Sequence, residues 1–324
     1  MNVNTNNKNV IIFGAGGQDG YYLSKILLEK SYDVFGTFYA KNSEREQILR
    51  QLGVKTLTCD VNDASEISEV LTSIKPLELY NLSGKSSVHD SWNNPSLYLQ
   101  TNALSVVRIL EILIDTKLKL HHTKFFQASS SEIFGDTGII PASENHLICP
   151  SSPYAVSKAI AHQTVQLYRD AYERFFVSGI LFNHESPLRN SSFLSKKIVT
   201  GAVRIAKGQA NEIKLANLDN RRDWSFAGDV MRAAWMMLQL NEPEDFVIAS
   251  GQSKSIEEFV QITFNVLGIK DWQRYIKLDI DLARRNNIKT VQADPSKAHS
   301  KLNWSPKFNF EQLVQYLVEI ELNS

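Results

Sequence analysis

An α/β fold, a doubly wound parallel sheet followed by a smaller C-terminal substrate-binding region, is predicted from three observations. A short apolar run, Val10-Ile11-Ile12-Phe13, ends in the turn Gly14-Ala15-Gly16-Gly17-Gln18-Asp19-Gly20, and an amphipathic stretch follows it. Strand-like and helical patterns then alternate through the first half, which implies parallel strands with helices on both faces. After Ser195 the alternation weakens.

The elements follow in order. The first helix turns Tyr22, Leu23, Ile26, Leu27 and Leu28 to one face. Strands are expected at 33–38 and 55–61, then a helix over 64–74, a fourth strand at 78–82 and a long helical pattern over 95–116. A fifth strand, 124–128, runs directly into Ser129-Ser130-Ser131-Glu132. A helix from Tyr154 to Phe175 and a strand at 177–182 complete the first domain, expected to span 1–188. The second region, 189–324, holds helical stretches near 197–207, 230–240, 256–267 and 310–322, and its strand at 246–249 is a candidate to rejoin the main sheet.

Strand, glycine turn and helix are the context of a dinucleotide-binding fingerprint, in which backbone N–H groups and the positive end of the helix receive a pyrophosphate. The spacing is Gly14-x-x-Gly17-x-x-Gly20. Ligands of parallel sheets bind at the carboxyl ends of the strands, where Gly14, Asp60, Ser83 and Ser130 all fall.

Tyr154 and Lys158 lie four apart in Ser-Pro-Tyr-Ala-Val-Ser-Lys, so on a helix they share a face. A lysine cation about 4 Å from a phenol, at an effective dielectric near 20, contributes on the order of 4 kcal/mol, or about three pKa units. That makes a tyrosine a competent base near neutrality. Taken alone the spacing is common and fits an exposed helix equally well. The neighbouring Ser130 and Glu132 turn the reading toward a redox site with one extra carboxylate.

Lysine plus arginine and aspartate plus glutamate both number 35, so no global field recruits nucleic acid or a membrane. An anionic substrate has to be held by local cations. The two cysteines, Cys59 and Cys149, lack metal-ligand spacing, and no metal is expected. The polar start lacks the apolar core of a signal peptide and no run approaches about 20 apolar residues, so a cytoplasmic protein is expected.

The chain resembles the extended short-chain dehydrogenase/reductases, with their Rossmann-type sheet, and within them the GDP-mannose 4,6-dehydratase family. The segments that carry the resemblance are Gly-Gly-Gln-Asp-Gly at 16–20, Gln-Ala-Ser-Ser-Ser-Glu at 127–132, Gly-Ile-Leu-Phe-Asn-His-Glu-Ser-Pro at 179–187 and Asn-Leu-Asp-Asn-Arg-Arg-Asp-Trp at 217–224. The resemblance implies a catalytic set of Ser130, Glu132, Tyr154 and Lys158, with Ser130 where threonine is usual. It implies cofactor contacts at Gly14, Gly17, Gln18, Asp19, Gly20, Asp60, Val61, Leu82, Ser83, Ser86, Tyr154, Lys158, His184 and Arg189. It places the nucleotide sugar, a GDP-sugar by preference, against Ser86, Asn183, Lys197, Asn217 and Arg222. A homodimer through the helices near 95–116 and 154–175 is also implied.

Three departures stand out. The usual arginines after the second strand are replaced by Thr37-Phe38-Tyr39-Ala40-Lys41-Asn42-Ser43-Glu44-Arg45, with no acidic residue at the strand end; NADP is expected, with NAD the alternative. Lys85 stands where glutamine is usual, and Arg284-Arg285-Asn286-Asn287 replaces the family's Arg-Pro-x-Glu. The reaction implied is transient oxidation of a hexose at C4, loss of water across C5–C6 and return of hydride to C6. A decarboxylase, epimerase or ketoreductase of the same fold is the nearest rival, and a cofactor-sensing protein without turnover is a rival of another class.

Overall fold

The computed structural model describes residues 8–39, 43–279 and 288–324. The expectations attached to residues 1–7, to Ala40, Lys41 and Asn42, and to Arg284-Arg285-Asn286-Asn287 lie outside the described residues. In chain order the elements are β1 Asn9–Phe13, α1 Gln18–Glu29, β2 Asp33–Phe38, α2 Glu44–Gln51, β3 Lys55–Thr58, α3 Ala64–Ile74 and β4 Glu78–Asn81. Then come α4 Val88–Ser91, α5 Pro95–Leu99, a π-helical turn Gln100–Leu104, α6 Ser105–Ile114, β5 Lys124–Ser130, α7 Pro153–Tyr172 and β6 Phe176–Leu181. The remainder is β7 Asn183–Glu185, α8 Leu194–Ala206, β8 Ile213–Leu215, β9 Arg221–Phe226, α9 Ala227–Leu238 and β10 Phe246–Ile248. It ends with β11 Ser253–Ser255, α10 Ile256–Val266, β12 Ile276–Leu278, α11 Ser296–Leu302 and α12 Phe310–Leu322.

The predicted α/β fold is present. Seven strands form one sheet in the order β10-β6-β5-β4-β1-β2-β3. The pairs from β6 to β3 are parallel, as crossover helices require. Strand order reverses beside β1, so β1 and β4 diverge at the point where such sheets take ligands. One core cluster joins Ile11 and Phe13 of β1, Ile67 and Leu71 of α3, Ile109 and Leu113 of α6, Phe125 of β5 and Val165 of α7. Each such side chain contributes roughly 1.5–3 kcal/mol on burial.

The chain divides into two compact units, and the division is not the single cut expected after residue 188. The first holds Met1–Ile133, Leu147–Leu181 and Met231–Phe246; the second holds Phe134–His146, Phe182–Val230 and Val247–Ser324. Backbone pairing explains the excursion at 134–146: Thr137 N–H donates to Thr290 O at 3.1 Å and Ala142 N–H to Gln292 O at 2.8 Å. The late return to the first unit delivers Asp245, whose carboxylate accepts from Arg169 at 2.8 Å and from Ser178 N–H at 2.6 Å. Within the second unit, Trp224 of β9 stacks on Phe310 of α12 at 5.6 Å, over a core shared with α8 and α10.

Several boundaries move. The third strand stops at Thr58, because Asp60 turns back to accept from Asn62 N–H at 2.9 Å. The fifth runs two residues past Ala128, so Ser129 and Ser130 are strand residues. The helix after Tyr154 ends at Tyr172, where Glu173 takes a left-handed φ of 50°. The expectation that no stretch is long and apolar enough to cross a membrane is corrected: Pro95–Ile114 passes by length and composition, with a mean hydropathy of 1.4. Its inner face, with Val106, Ile109, Leu110 and Leu113, is core.

Candidate active site

The first unit gathers most of the expected site at one edge of the sheet, because parallel strands present their carboxyl ends together. Gly14 follows β1, Asp60 and Val61 follow β3, Leu82, Ser83 and Ser86 follow β4, and Ser130 ends β5.

The glycines of the first turn have different reasons. Gly14 has φ 79°, and a Cβ there would lie 2.7 Å from the Ser83 backbone. A Cβ on Gly20 would lie 2.3 Å from Ala15 O. Both are demanded by packing. Gly17 is not: a Cβ there would meet only Gly14 O, at 3.7 Å, and its φ is an ordinary −75°. It caps α1 without any side-chain acceptor, so the first N–H groups of a twelve-residue helix face a hydrogen-only position. A diphosphate fits that arrangement.

Beyond β5 the chain enters a 3₁₀ turn, Ser131–Phe134, and the Glu132 N–H donates to Ser130 Oγ at 3.3 Å. The Ser130 hydroxyl at the end of β5 therefore bonds the backbone of the residue that carries the carboxylate. Helix α7 opens with Ser152 accepting from Ala155 N–H at 3.1 Å and with Pro153 in its first turn. One turn apart on it, Tyr154 and Lys158 are 8% and 7% exposed. The Tyr154 ring meets Tyr98 edge-on, with centroids 6.3 Å apart. Lys158 Nζ donates to Ala128 O at 2.9 Å. Desolvation lowers the Lys158 pKa to about 8, and the nearby Asp19 carboxylate opposes that shift.

Asn102 is a positioning residue that the sequence reading missed. The π-helical turn carries it inward, where Oδ1 accepts from Lys85 N–H at 2.8 Å and Nδ2 donates to Lys85 O at 2.9 Å and Ser157 Oγ at 3.0 Å. Ser157 in turn donates to Tyr154 O at 2.7 Å. One side chain thus joins the loop after β4 to the helix bearing Tyr154. The only sequence signal is an asparagine within an apolar helical run.

The remaining expected residues lie in the second unit. Asn183 and His184 are on β7, opposite Trp224 and Ser225 of β9. His184 Nδ1 donates to Phe182 O at 2.7 Å, which leaves Nε2 the acceptor in the neutral ring. Arg189 lies 3.3 Å from Glu185 and over the Phe193 ring. Lys197 is in the first turn of α8, whose N-cap, Phe193, offers no side-chain acceptor. Its neighbour Lys196 is spent on Glu321 at 2.6 Å and Pro187 O at 3.1 Å. Asn217 Oδ1 accepts from Asn220 N–H at 3.2 Å. Arg222 is buried and donates to the carbonyls of Arg221 at 2.7 Å and Ile288 at 2.9 Å.

A parallel sheet opening on a glycine turn, with Ser-x-Glu ending its fifth strand and Tyr-x-x-x-Lys on the next long helix, defines an enzyme of the extended short-chain dehydrogenase/reductase class. Thermus thermophilus UDP-glucose 4-epimerase, solved with NAD, has the same fold with a TM-score of 0.85 at 21% identity, covering 97% of this chain and 98% of that one. Within the class, the chain belongs to the family described as GDP-mannose 4,6 dehydratase, whose profile matches residues 11–317. It is 37% identical to Arabidopsis thaliana GDP-mannose 4,6 dehydratase 2 over 326 residues, 97% of this chain and 87% of that protein. It is 35% identical to the Vibrio cholerae GDP-mannose 4,6-dehydratase over 352 residues, 98% of this chain and 94% of that one.

Proposed function

We propose that the chain is an NADP-dependent nucleotide-sugar 4,6-dehydratase acting on a GDP-hexose. The observation that carries this reading is Glu132, whose backbone N–H bonds the Ser130 hydroxyl within the unit that buries Tyr154 and Lys158. A simple dehydrogenase needs the hydroxyl, tyrosine and lysine; the carboxylate adds a second base.

The dinucleotide would be held by Gly14, Gly17, Gln18, Asp19, Gly20, Asp60, Val61, Leu82, Ser83, Ser86, Tyr154, Lys158, His184 and Arg189. When bound, it supplies a reversible hydride acceptor for the sugar. Tyr154, as phenolate, takes the C4 hydroxyl proton, with Ser130 orienting that hydroxyl and the Lys158 ammonium stabilising the phenolate. A ketone at C4 makes the C5 proton acidic. Glu132 removes it and, once protonated, delivers it to the departing C6 hydroxyl. Loss of water leaves a C5–C6 double bond; with the hydride taken from C4 returned to C6 and a proton restored at C5, the product would be a 4-keto-6-deoxy sugar.

The uncapped N-terminus of α8, with Lys197 in its first turn, suits the substrate diphosphate; Ser86, Asn183, Asn217 and Arg222 are the other substrate contacts of this reading. NADP is preferred because no carboxylate ends β2 to hold a free ribose. Of the acids on the following helix α2, Glu46 is 3% exposed and already engaged by Arg50 at 2.6 Å and Thr56 at 3.0 Å. A second copy of this chain is the proposed partner. The outer faces of α5, the π turn and α7 expose Leu97, Leu104, Val156, Ile160 and Leu167, the last by 65%. Both sides of 95–114 are then covered, which accounts for its high hydropathy.

The test is incubation with GDP-mannose and with UDP-, CDP- and dTDP-hexoses, followed by mass spectrometry. Loss of one water from the GDP-sugar without accumulating reduced cofactor is expected. One reduced cofactor per sugar consumed would sink the reading in favour of a simple dehydrogenase.

A further inference from the structure

Arg189 is held on two sides by side chains of β7 and the start of α8. Its guanidinium carbon lies 3.7 Å from the centroid of the Phe193 ring, which supports one face. Its Nε, shielded from solvent and outside hydrogen-bond geometry, lies at an ion-pair distance of 3.3 Å from Glu185 Oε2. Glu185 is 3% exposed and sits on β7 opposite Phe226 of β9, so its carboxylate is fixed by a strand. That carboxylate already accepts a hydrogen bond from Ser195 Oγ at 2.6 Å. Phe193 is the N-cap of α8 and is fixed by the helix it begins. The intervening chain is folded into two turns, with Arg189 N–H donating to Ser186 O at 3.0 Å and Phe193 N–H to Asn190 O at 3.1 Å.

A guanidinium whose task was to neutralise Glu185 would offer its two-pronged edge, the strongest geometry an arginine has for a carboxylate. Here the closest approach is through Nε. The terminal edge, Nη1 and Nη2, has no protein acceptor among the described residues, and the side chain is 18% exposed. Ordering a free arginine costs rotamer entropy. Stacking and the ion pair meet that cost before a ligand arrives.

We propose that Glu185 and Phe193 are positioning residues that hold Arg189 as a pre-aligned fork for a phosphate-type oxyanion of the dinucleotide. This rests on the reading of Arg189 as a cofactor contact and adds two residues which that reading does not name.

The test uses the full chain, free of ligand and labelled with ¹⁵N-arginine, together with NADP⁺ titrations. The Arg189 Nε–H signal, assigned by Arg189→Lys, is expected at neutral pH in the wild type and to be lost to exchange in Glu185→Gln. Phe193→Leu, which keeps an apolar side chain, is expected to broaden it independently. NADP⁺ binding is expected to weaken roughly tenfold in Glu185→Gln, the scale of one charge-assisted contact, and not to weaken further when Glu185→Gln is added to Arg189→Ala. A signal that survives Glu185→Gln would overturn the proposal through its geometry. Additive losses would overturn it by showing that Glu185 does not act through Arg189. If Arg189→Ala binds NADP⁺ like the wild type, the fork has another or no ligand and the proposal falls on that ground. A wild-type protein that binds no NADP⁺ at all would remove the cofactor reading itself, a result distinct from each of these.

Discussion

The ammonium of Lys158 and the carbonyl oxygen of Ala128 are hydrogen-bonded at 2.9 Å, one from the second turn of α7 and the other from inside β5. Ala128 O also accepts from Gln127 Nε2 at 3.0 Å, so the carbonyl keeps a partner if the lysine is removed. The bond aligns the cation; it does not repay its burial. Desolvation holds the Lys158 pKa at about 8, below the ordinary 10.5.

Because the folded-state pKa lies below the unfolded value, the unfolded chain holds more protons between pH 8 and 10.5. Stability therefore carries the full cost of the buried charge below pH 8 and recovers it as pH rises toward 10.5. Lys158→Met is expected to abolish turnover and to stabilise the cofactor-free protein, by at most on the order of 3 kcal/mol. Urea unfolding across that pH range checks it: the gap between variant and wild type should close as pH rises. A gap independent of pH assigns the gain to packing instead.

Glu132→Gln keeps the size of the side chain and loses the base. Water loss from the GDP-sugar should fall by at least about a hundredfold, and deuterium exchange at C5 should fall with it. Reduced cofactor should still appear on mixing. In Tyr154→Phe it should not appear, because the C4 proton has no acceptor. Near-normal water loss in Glu132→Gln would assign the C5 proton to another group.

Gly17→Ala and Gly20→Ala separate ligand from packing. An alanine at 20 forces Cβ to 2.3 Å from Ala15 O, so a loss of several degrees in Tm, or no folding, is expected. An alanine at 17 meets nothing closer than 3.7 Å. It should melt like the wild type and lose NADP⁺ affinity, because the methyl occupies the approach to the helix N-terminus. Paired melting curves and titrations decide it.

Ile160→Glu with Leu167→Glu places two carboxylates on the exposed stripe of α7. Light scattering at micromolar concentration is expected to show a dimer for the wild type and a monomer for the variant, with the fold intact by circular dichroism. A wild-type monomer would refute the proposed partner, and a tetramer would show a second interface.

What could be read from the sequence was local. The glycine turn, the Ser130–Glu132 turn and the Tyr154–Lys158 face each need only a few adjacent residues, and the strand–helix alternation marks their setting. What could not be read depends on distant pairing. Asn102 has meaning only beside Lys85 and Ser157, and the π turn that aims it leaves the apolar periodicity nearly unchanged. Strands β7 and β11, three residues each, are too short to show alternation, so the three-stranded sheet they form with β9 was invisible. Arg222 looks like an exposed cation until the carbonyl of Ile288 arrives from 66 residues away.

The placement of β10 beside β6 bears on how the chain is made. A ribosome releasing this protein emits β6 and α7 long before residue 245. Throughout that interval β6 is an open edge, and Arg169 lacks the carboxylate it is later buried against. A nascent chain, or a fragment stopped at residue 188, thus offers a bare strand of Phe-Val-Ser-Gly-Ile-Leu to any other strand it meets. For this molecule the β6 edge closes only once residues 182 to 248 have been made, whereas β3 remains an edge of the finished sheet.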